Sequence, residues 1–253
     1  MAGTAVLGRL NWQVCDVVES VQETPTVRSL VLRSAGWTGH LPGQHVDVRL
    51  TAEDGYQAER SYSLAQPEDG GRIRLTVQRL PDGEVSPYLC DELHPGDQLE
   101  LRGPIGGYFV WRERETGPVL LVGGGSGIVP LMAILRARAR QGLPTRLLVS
   151  ARSFADLIYW EALQGLTAKT EGVEVLATLT RSQPGGWSGH SRRVDKEMLR
   201  QVAWPARDDV AGAGPLAFVC GPTLFVETVA DILVDLGYSP DQIRTERFGP
   251  TGV

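Results

Sequence analysis

The chain changes its hydrophobic period partway along. From Leu10 to Leu101 apolar positions recur mostly at every second residue: Val46, Val48 and Leu50 alternate with Asp47, Arg49 and Thr51, and Ile73, Leu75 and Val77 with Arg74, Thr76 and Gln78. Strand side chains point to opposite faces in turn, so these runs read as half-buried strands. Similar runs near residues 10–20, 27–34, 57–66 and 97–103 bring the number to six. Turn signals such as Pro42-Gly43, Asp54-Gly55, Asp69-Gly70-Gly71 and Pro95-Gly96-Asp97 separate them. Antiparallel strands of this kind hide their edges by closing into a small barrel. One helical interruption is predicted, around Val85 to Glu92.

After Gly117 short apolar runs alternate with helical patterns. Strands are predicted at Val119 to Val122, Arg146 to Ser150, Val173 to Leu179 and Leu216 to Cys220, with helices near 130–141, 156–165, 194–202 and 223–236. That alternation builds a doubly wound parallel sheet. The first helix has Pro130 in its first turn, Arg136, Arg138 and Arg140 towards its negative end, and Gly142 as its stop. In the last, Val226, Val229, Ala230 and Leu233 share one face. The polar stretch Arg112 to Pro118 separates the two patterns, giving domains 1–114 and 115–253.

Composition narrows the classes. The 253 residues suffice for one or two domains with a sizeable core. A net charge of -5 argues against a surface built to bind nucleic acid or anionic lipid, so any basic site is local. Glycine, at 30 residues, exceeds the usual share of about 7% and should mark turns and close ligand approach. Cys15, Cys90 and Cys220 lie far apart and cannot make a disulfide framework, a zinc ribbon or a four-cysteine iron-sulfur site, which fits a reducing cytoplasm. The opening MAGTAVLGRLNW lacks the charged-then-apolar order of a secretory signal. Gly117 to Leu135 carries no charge over 19 residues, yet its five glycines, Ser126, Pro118 and Pro130 suit a strand, a glycine turn and a helix start better than a membrane span.

Four segments carry chemistry. Val119-Leu-Leu-Val-Gly123-Gly124-Gly125-Ser126-Gly127-Ile-Val-Pro130 runs from a buried strand through glycines into a helix. Backbone can approach a ligand closely there, and the helix start offers free N–H groups to phosphate. A tight turn without a ligand looks the same, but its place at the first strand of an α/β domain favours a nucleotide. No Gly-Lys-Ser/Thr follows, which excludes a P-loop, and Pro130 stands where the third glycine of the dinucleotide fingerprint belongs. Arg60 and Tyr62 share a strand face and can aim a guanidinium and an aromatic plane into one space, though alone they read equally as a solvated face. Gly83-Glu84-Val85-Ser86 opens the barrel's helix, where Ser86 serves either a phosphate or a cap. Cys220-Gly221-Pro222 ends a strand at the sheet edge where doubly wound folds bind ligands, and Cys220 reads equally as a small buried hydrophobe.

Arg60-x-Tyr62-Ser63, Gly83-x-x-Ser86-x-x-Leu89, Gly123-x-Gly125-x-Gly127-x-x-Pro130, Cys220-Gly221-Pro222 and Glu246-Arg247-Phe248 together resemble the ferredoxin-NADP reductase-like flavoproteins in order and spacing, across nearly the whole chain. The resemblance implies a six-stranded antiparallel FAD-binding barrel followed by a five-stranded parallel domain for the nicotinamide dinucleotide. It implies that Arg60 pairs with the flavin pyrophosphate, that Tyr62 stacks on the isoalloxazine, and that Ser63 lies near flavin N5, followed by Leu64. Gly83, Val85 and Ser86 would hold the flavin pyrophosphate, and Gly124, Gly125, Gly127 and Pro130 that of the nicotinamide. Ser63, Cys220 and Glu246 would flank the hydride path, with Gly221 and Pro222 beside it and Phe248 near the flavin. Ser63 falls on the opposite face from Tyr62 in a regular strand, so the strand should twist or end there. Five residues follow Phe248, unlike in family members that end at this aromatic ring.

The same resemblance implies hydride transfer from the nicotinamide to flavin N5 and release of single electrons to a separate acceptor: a ferredoxin, an oxygenase component or a molybdenum enzyme. Arg152, Ser153 and Arg181 stand where the family meets the adenosine ribose, favouring NADPH over NADH. Arg112 and Arg114 are candidates for a basic docking patch. A stand-alone flavin, quinone or ferric reductase is the alternative, and a non-catalytic nucleotide sensor a third class. A short-chain dehydrogenase is disfavoured because no tyrosine is followed four positions later by lysine.

Overall fold

The computed structural model describes residues 10–206 and 214–249. Most of the N-terminal segment MAGTAVLGRLNW, and residues 250–253 after Phe248, lie outside them. Six strands form the first sheet: β1 (Trp12–Thr24), β2 (Val27–Arg33), β3 (His45–Thr51), β4 (Gln57–Ser63), β5 (Arg72–Gln78) and β6 (Gln98–Ile105). Their order is β4-β3-β6-β1-β2-β5, antiparallel throughout. The two outer strands meet beyond the end of β4, where Leu64 bridges Leu75 and the Ala65 N–H donates to the Arg74 carbonyl at 2.8 Å. The expected period-two positions Val46, Val48, Ile73, Leu75 and Val77 are buried together inside. Long β1 follows the curvature through two register shifts, between Val17 and Glu19 and between Gln22 and Thr24. The predicted helix is a short α1 (Val85–Pro87) running into a π-helical turn, Tyr88–Glu92, and it packs Val85 and Leu89 into the barrel core.

The second sheet contains β7 (Val119–Gly124), β8 (Thr145–Ala151), β9 (Val173–Leu179), β10 (Leu216–Pro222) and β11 (Ile243–Phe248), all parallel, in the order β11-β10-β7-β8-β9. Helices α2 (Ile128–Arg140), α3 (Trp160–Lys169), α4 (Lys196–Val202) and α5 (Thr223–Asp235) cover both faces. Each apolar strand divides its side chains between two cores: Val119 and Leu121 pack with α2 and α3, Leu120 and Val122 with α4 and α5. Strand order reverses at β7, between β8 and β10, and a doubly wound sheet opens its ligand crevice at the strand C-termini beside such a reversal. The uncharged stretch after Gly117 is thus β7, a turn and most of α2. Among the described residues no helix is long and apolar enough to cross a membrane.

Arg138 departs from its expected role. It is fully buried, and instead of tuning the helix end it donates to the Thr145 hydroxyl and to the carbonyls of Glu115, Gly117 and Pro144. It therefore staples the α2 C-terminus to the segment entering β7. Barrel and sheet share further buried contacts. Tyr159, in a left-handed conformation at φ 63°, donates its hydroxyl to Thr76 of β5, and the Arg136 guanidinium reaches the Ala65 carbonyl at 2.9 Å. Arg244 of β11 pairs with Glu115 at 2.5 Å and also reaches the Val110 carbonyl.

Candidate functional site

At the sheet's C-terminal edge β7 runs through Gly124 into a 3-10 turn, Gly125–Gly127, and directly into α2. Three glycines are needed there for three reasons. A Cβ on Gly127 would lie 2.1 Å from the Cys220 carbonyl oxygen, so only glycine lets the turn sit against β10. A Cβ on Gly124 would strike the Phe225 ring at 2.9 Å. Gly125 has φ +56° and faces open space, so its bare backbone is uncovered at a helix start. Pro130 is buried in the first turn of α2. Pro222 ends β10 and leads into α5, while Gly221 packs against Gly124.

The register β10–β11 sets Cys220 beside Glu246 and Pro222 beside Phe248. The Cys220 thiol lies 3.6 Å from Glu246 Oε2. Burial pushes the thiol well above its ordinary pKa, and the Glu246 charge adds to this, so Cys220 is a protonated thiol at neutral pH. Burial likewise raises the Glu246 carboxyl to about 7, opposed by the thiol hydrogen bond. Phe248 is half-buried against the core on the α2 side.

Arg152 and Arg181 come together at the neighbouring strand ends, where the Arg152 carbonyl accepts from the Arg181 N–H at 2.9 Å and both side chains are exposed. Ser153 is engaged locally. Its hydroxyl donates to Asp156 at 2.6 Å and its N–H to the same carboxylate at 3.0 Å, capping the short turn Phe154–Asp156. Phe154, Trp160 and Trp187 cluster nearby with ring centroids 5.9–6.1 Å apart. Sequence reasoning missed this trio because Trp187 lies in an irregular loop with no period to mark it.

On the barrel, β4 ends at Ser63, as the change of face required. The Leu64 N–H turns to the Gln44 carbonyl at 2.9 Å, and the Leu64 side chain is core. Tyr62 packs against the barrel core, and burial raises its phenol pKa. Arg60 donates to the Glu59 carbonyl at 2.7 Å and to Glu84 at 3.1 Å, and Glu84 also accepts from the Tyr56 hydroxyl at 2.9 Å. Arg60 and the Gly83–Ser86 turn therefore meet, through a glutamate and a tyrosine that sequence spacing did not single out. Val85 is buried, and Ser86 accepts the Leu80 N–H at 3.0 Å, leaving its own O–H to donate. A Cβ on Gly83 would come within 3.0 Å of that hydroxyl oxygen. Of the proposed docking arginines, Arg112 folds back onto the Gly107 carbonyl at 3.2 Å, while Arg114 is exposed.

These residues fit dinucleotides. Arg60 already holds a carboxylate, whose oxygens stand in for those of a phosphate, and Gly125 leaves bare backbone open to a ligand at a helix start. Comparison with known proteins agrees. Residues 15–110 match the oxidoreductase FAD-binding domain family and residues 121–231 the oxidoreductase NAD-binding domain family. The chain is 29% identical over 234 residues to the ferredoxin-NAD(P)(+) reductase component of the naphthalene 1,2-dioxygenase/salicylate 5-hydroxylase systems of Ralstonia sp, covering 92% of this chain and 67% of that one. The FAD/NAD-binding domain of a nitric oxide dioxygenase from Vibrio cholerae superposes with a TM-score of 0.82 at 27% identity, covering 94% of this chain and 99% of that one. A cytochrome P450 reductase from Amycolatopsis gives 0.80 at 27% identity, covering 98% and 74%. With both of its domains matched in series, the chain belongs to the ferredoxin-NADP reductase-like family of FAD-dependent NAD(P)H oxidoreductases.

Proposed function

We propose that this oxidoreductase takes hydride from NADPH and passes electrons singly to a separate redox protein, such as a ferredoxin, an oxygenase component or a molybdenum enzyme, in a reducing cytoplasm. The observation that carries this reading is the contact of Gly127 with the Cys220 carbonyl, which sets the glycine turn at the α2 start directly beside the Cys220–Glu246 pair. The reductase component from Ralstonia supports the choice of partner class.

When bound, the flavin supplies the hydride-accepting atom and the ability to release electrons one at a time. The chain's own residues orient and exclude. Arg60, Gly83, Val85 and Ser86 would hold the flavin pyrophosphate and Tyr62 its ring, with Ser63 and the Leu64 backbone beside it where β4 ends. Gly124, Gly125, Gly127 and Pro130 would hold the nicotinamide pyrophosphate at the α2 start. Gly221 and Pro222 form the opposite wall, with Phe248 beside them. Cys220 offers a neutral, polarisable surface and Glu246 a carboxyl that titrates near neutrality. Arg152 and Arg181, with Ser153 beside them, would hold the adenosine 2'-phosphate. We place the domain boundary at 114/115, within the gap between the two family matches.

The test is anaerobic addition of NADPH to the purified yellow protein. Flavin bleaching, followed by reduction of ferricyanide without stoichiometric iron in the protein, is expected. Turnover of free FMN or a quinone far faster than any protein acceptor, insensitive to ionic strength, would favour a stand-alone reductase instead.

A further inference from the structure

Arg60 is not idle: its guanidinium is fixed on one side by the Glu59 carbonyl at 2.7 Å and presents Nη2 to Glu84 Oε2 at 3.1 Å. Glu84 belongs to the same turn as Gly83, Val85 and Ser86, and a second tie holds it in place, the Tyr56 hydroxyl on Oε1 at 2.9 Å. Carboxylate and phosphate compete for a guanidinium because both offer it paired anionic oxygens. We propose that Glu84 is a built-in competitor of the flavin pyrophosphate, its carboxylate occupying the face of Arg60 that the pyrophosphate requires and thereby setting the affinity for FAD. The inference rests on the assignment of Arg60 to the flavin.

Two effects act in the same direction. The pyrophosphate must displace Glu84 from Arg60, and the displaced carboxylate remains in a turn that then also holds two phosphate charges, where like charges repel. Both side chains are about half exposed, 54% and 51%, so the pair is displaceable rather than blocking. Exposed ion pairs change equilibria by about two- to fivefold, and this is the expected scale. The device lowers FAD affinity without touching the flavin ring, and so without altering its chemistry.

The experiment measures FAD dissociation by diluting holoprotein and following the recovered flavin fluorescence, in low salt and in 0.5 M NaCl. Glu84→Gln should bind FAD about two- to fivefold more tightly in low salt. The gain should shrink in high salt as screening weakens both the pair and the repulsion. Arg60→Gln should weaken FAD binding, and adding Glu84→Gln to it should restore little. Unchanged or weaker FAD binding in Glu84→Gln, with Arg60→Gln still weakened, overturns the competitor role and makes Glu84 an organiser of the turn. Unaltered FAD binding in Arg60→Gln overturns the assignment of Arg60 itself, whatever Glu84→Gln shows.

Discussion

Glu246→Gln should stabilise the protein in neutral solution far more than in acid. Burial raises the Glu246 carboxyl from 4.5 to about 7. In the unfolded chain this group ionises near pH 4.3, whereas in the folded chain it holds its proton until about pH 7, so between those values the folded state binds more protons. Stability therefore falls as pH rises through this window, and the full penalty is present above it. At 1.36 kcal/mol per pKa unit the penalty is about 3 kcal/mol. Glutamine carries no charge to bury and escapes it. The advantage of the variant over wild type should grow by about 3 kcal/mol between pH 4.5 and 8, which for a chain of this size is roughly 6–12 °C in Tm. Calorimetric unfolding of both proteins in excess FAD, at several pH values from 4.5 to 8, reads the difference directly. A difference that stays flat across the range, or wild type gaining on the variant as pH rises, would refute the burial argument.

Gly127→Ala places a Cβ 2.1 Å from the Cys220 carbonyl, so the turn and β10 must part; a loss of about 1–3 kcal/mol in stability and a collapse of NADPH-dependent bleaching, with FAD retained, are expected. Arg152→Ala should raise KM for NADPH much more than for NADH, and equal effects in steady-state kinetics would remove it from the 2'-phosphate. Tyr62→Ala should shed flavin more readily, since stacking alone contributes about 0.5–1.5 kcal/mol, as read by flavin fluorescence after dilution.

Much of this architecture is legible in the residues because it rests on local periodicity. Val46 and Val48 are buried where alternation puts them, and the glycine run ends β7 where expected. The fifth parallel strand, Ile243–Phe248, escaped the pattern because as a sheet edge it is half charged: Arg244 stacks on Phe218 and pairs with Glu115, which lies 129 residues earlier. Arg138 misled for a related reason. Its spacing suits a helix end, while its carbonyl partners come from other segments that no period announces. The Glu84–Arg60 tie spans 24 residues and depends on the α1 turn lying over β4. Motif order named the candidate residues, and tertiary contact decided how each side chain is employed.

Tyr159 has a consequence for how such a chain can be handled. Its backbone adopts the left-handed conformation, disfavoured for a bulky residue, and its hydroxyl ends on Thr76, which in turn is hydrogen-bonded to Ser29 at 2.7 Å. Separating the halves by cleavage near residue 114 leaves Tyr159 and Thr76 without each other and bares Val27, Ala65, Phe109 and Trp111, which pack with the second domain's core. The barrel and the sheet are therefore one transplantable cassette: an engineer can move the pair whole into a new fusion, but swapping one half for a relative's requires carrying Tyr159, Thr76 and the surface between them along with it.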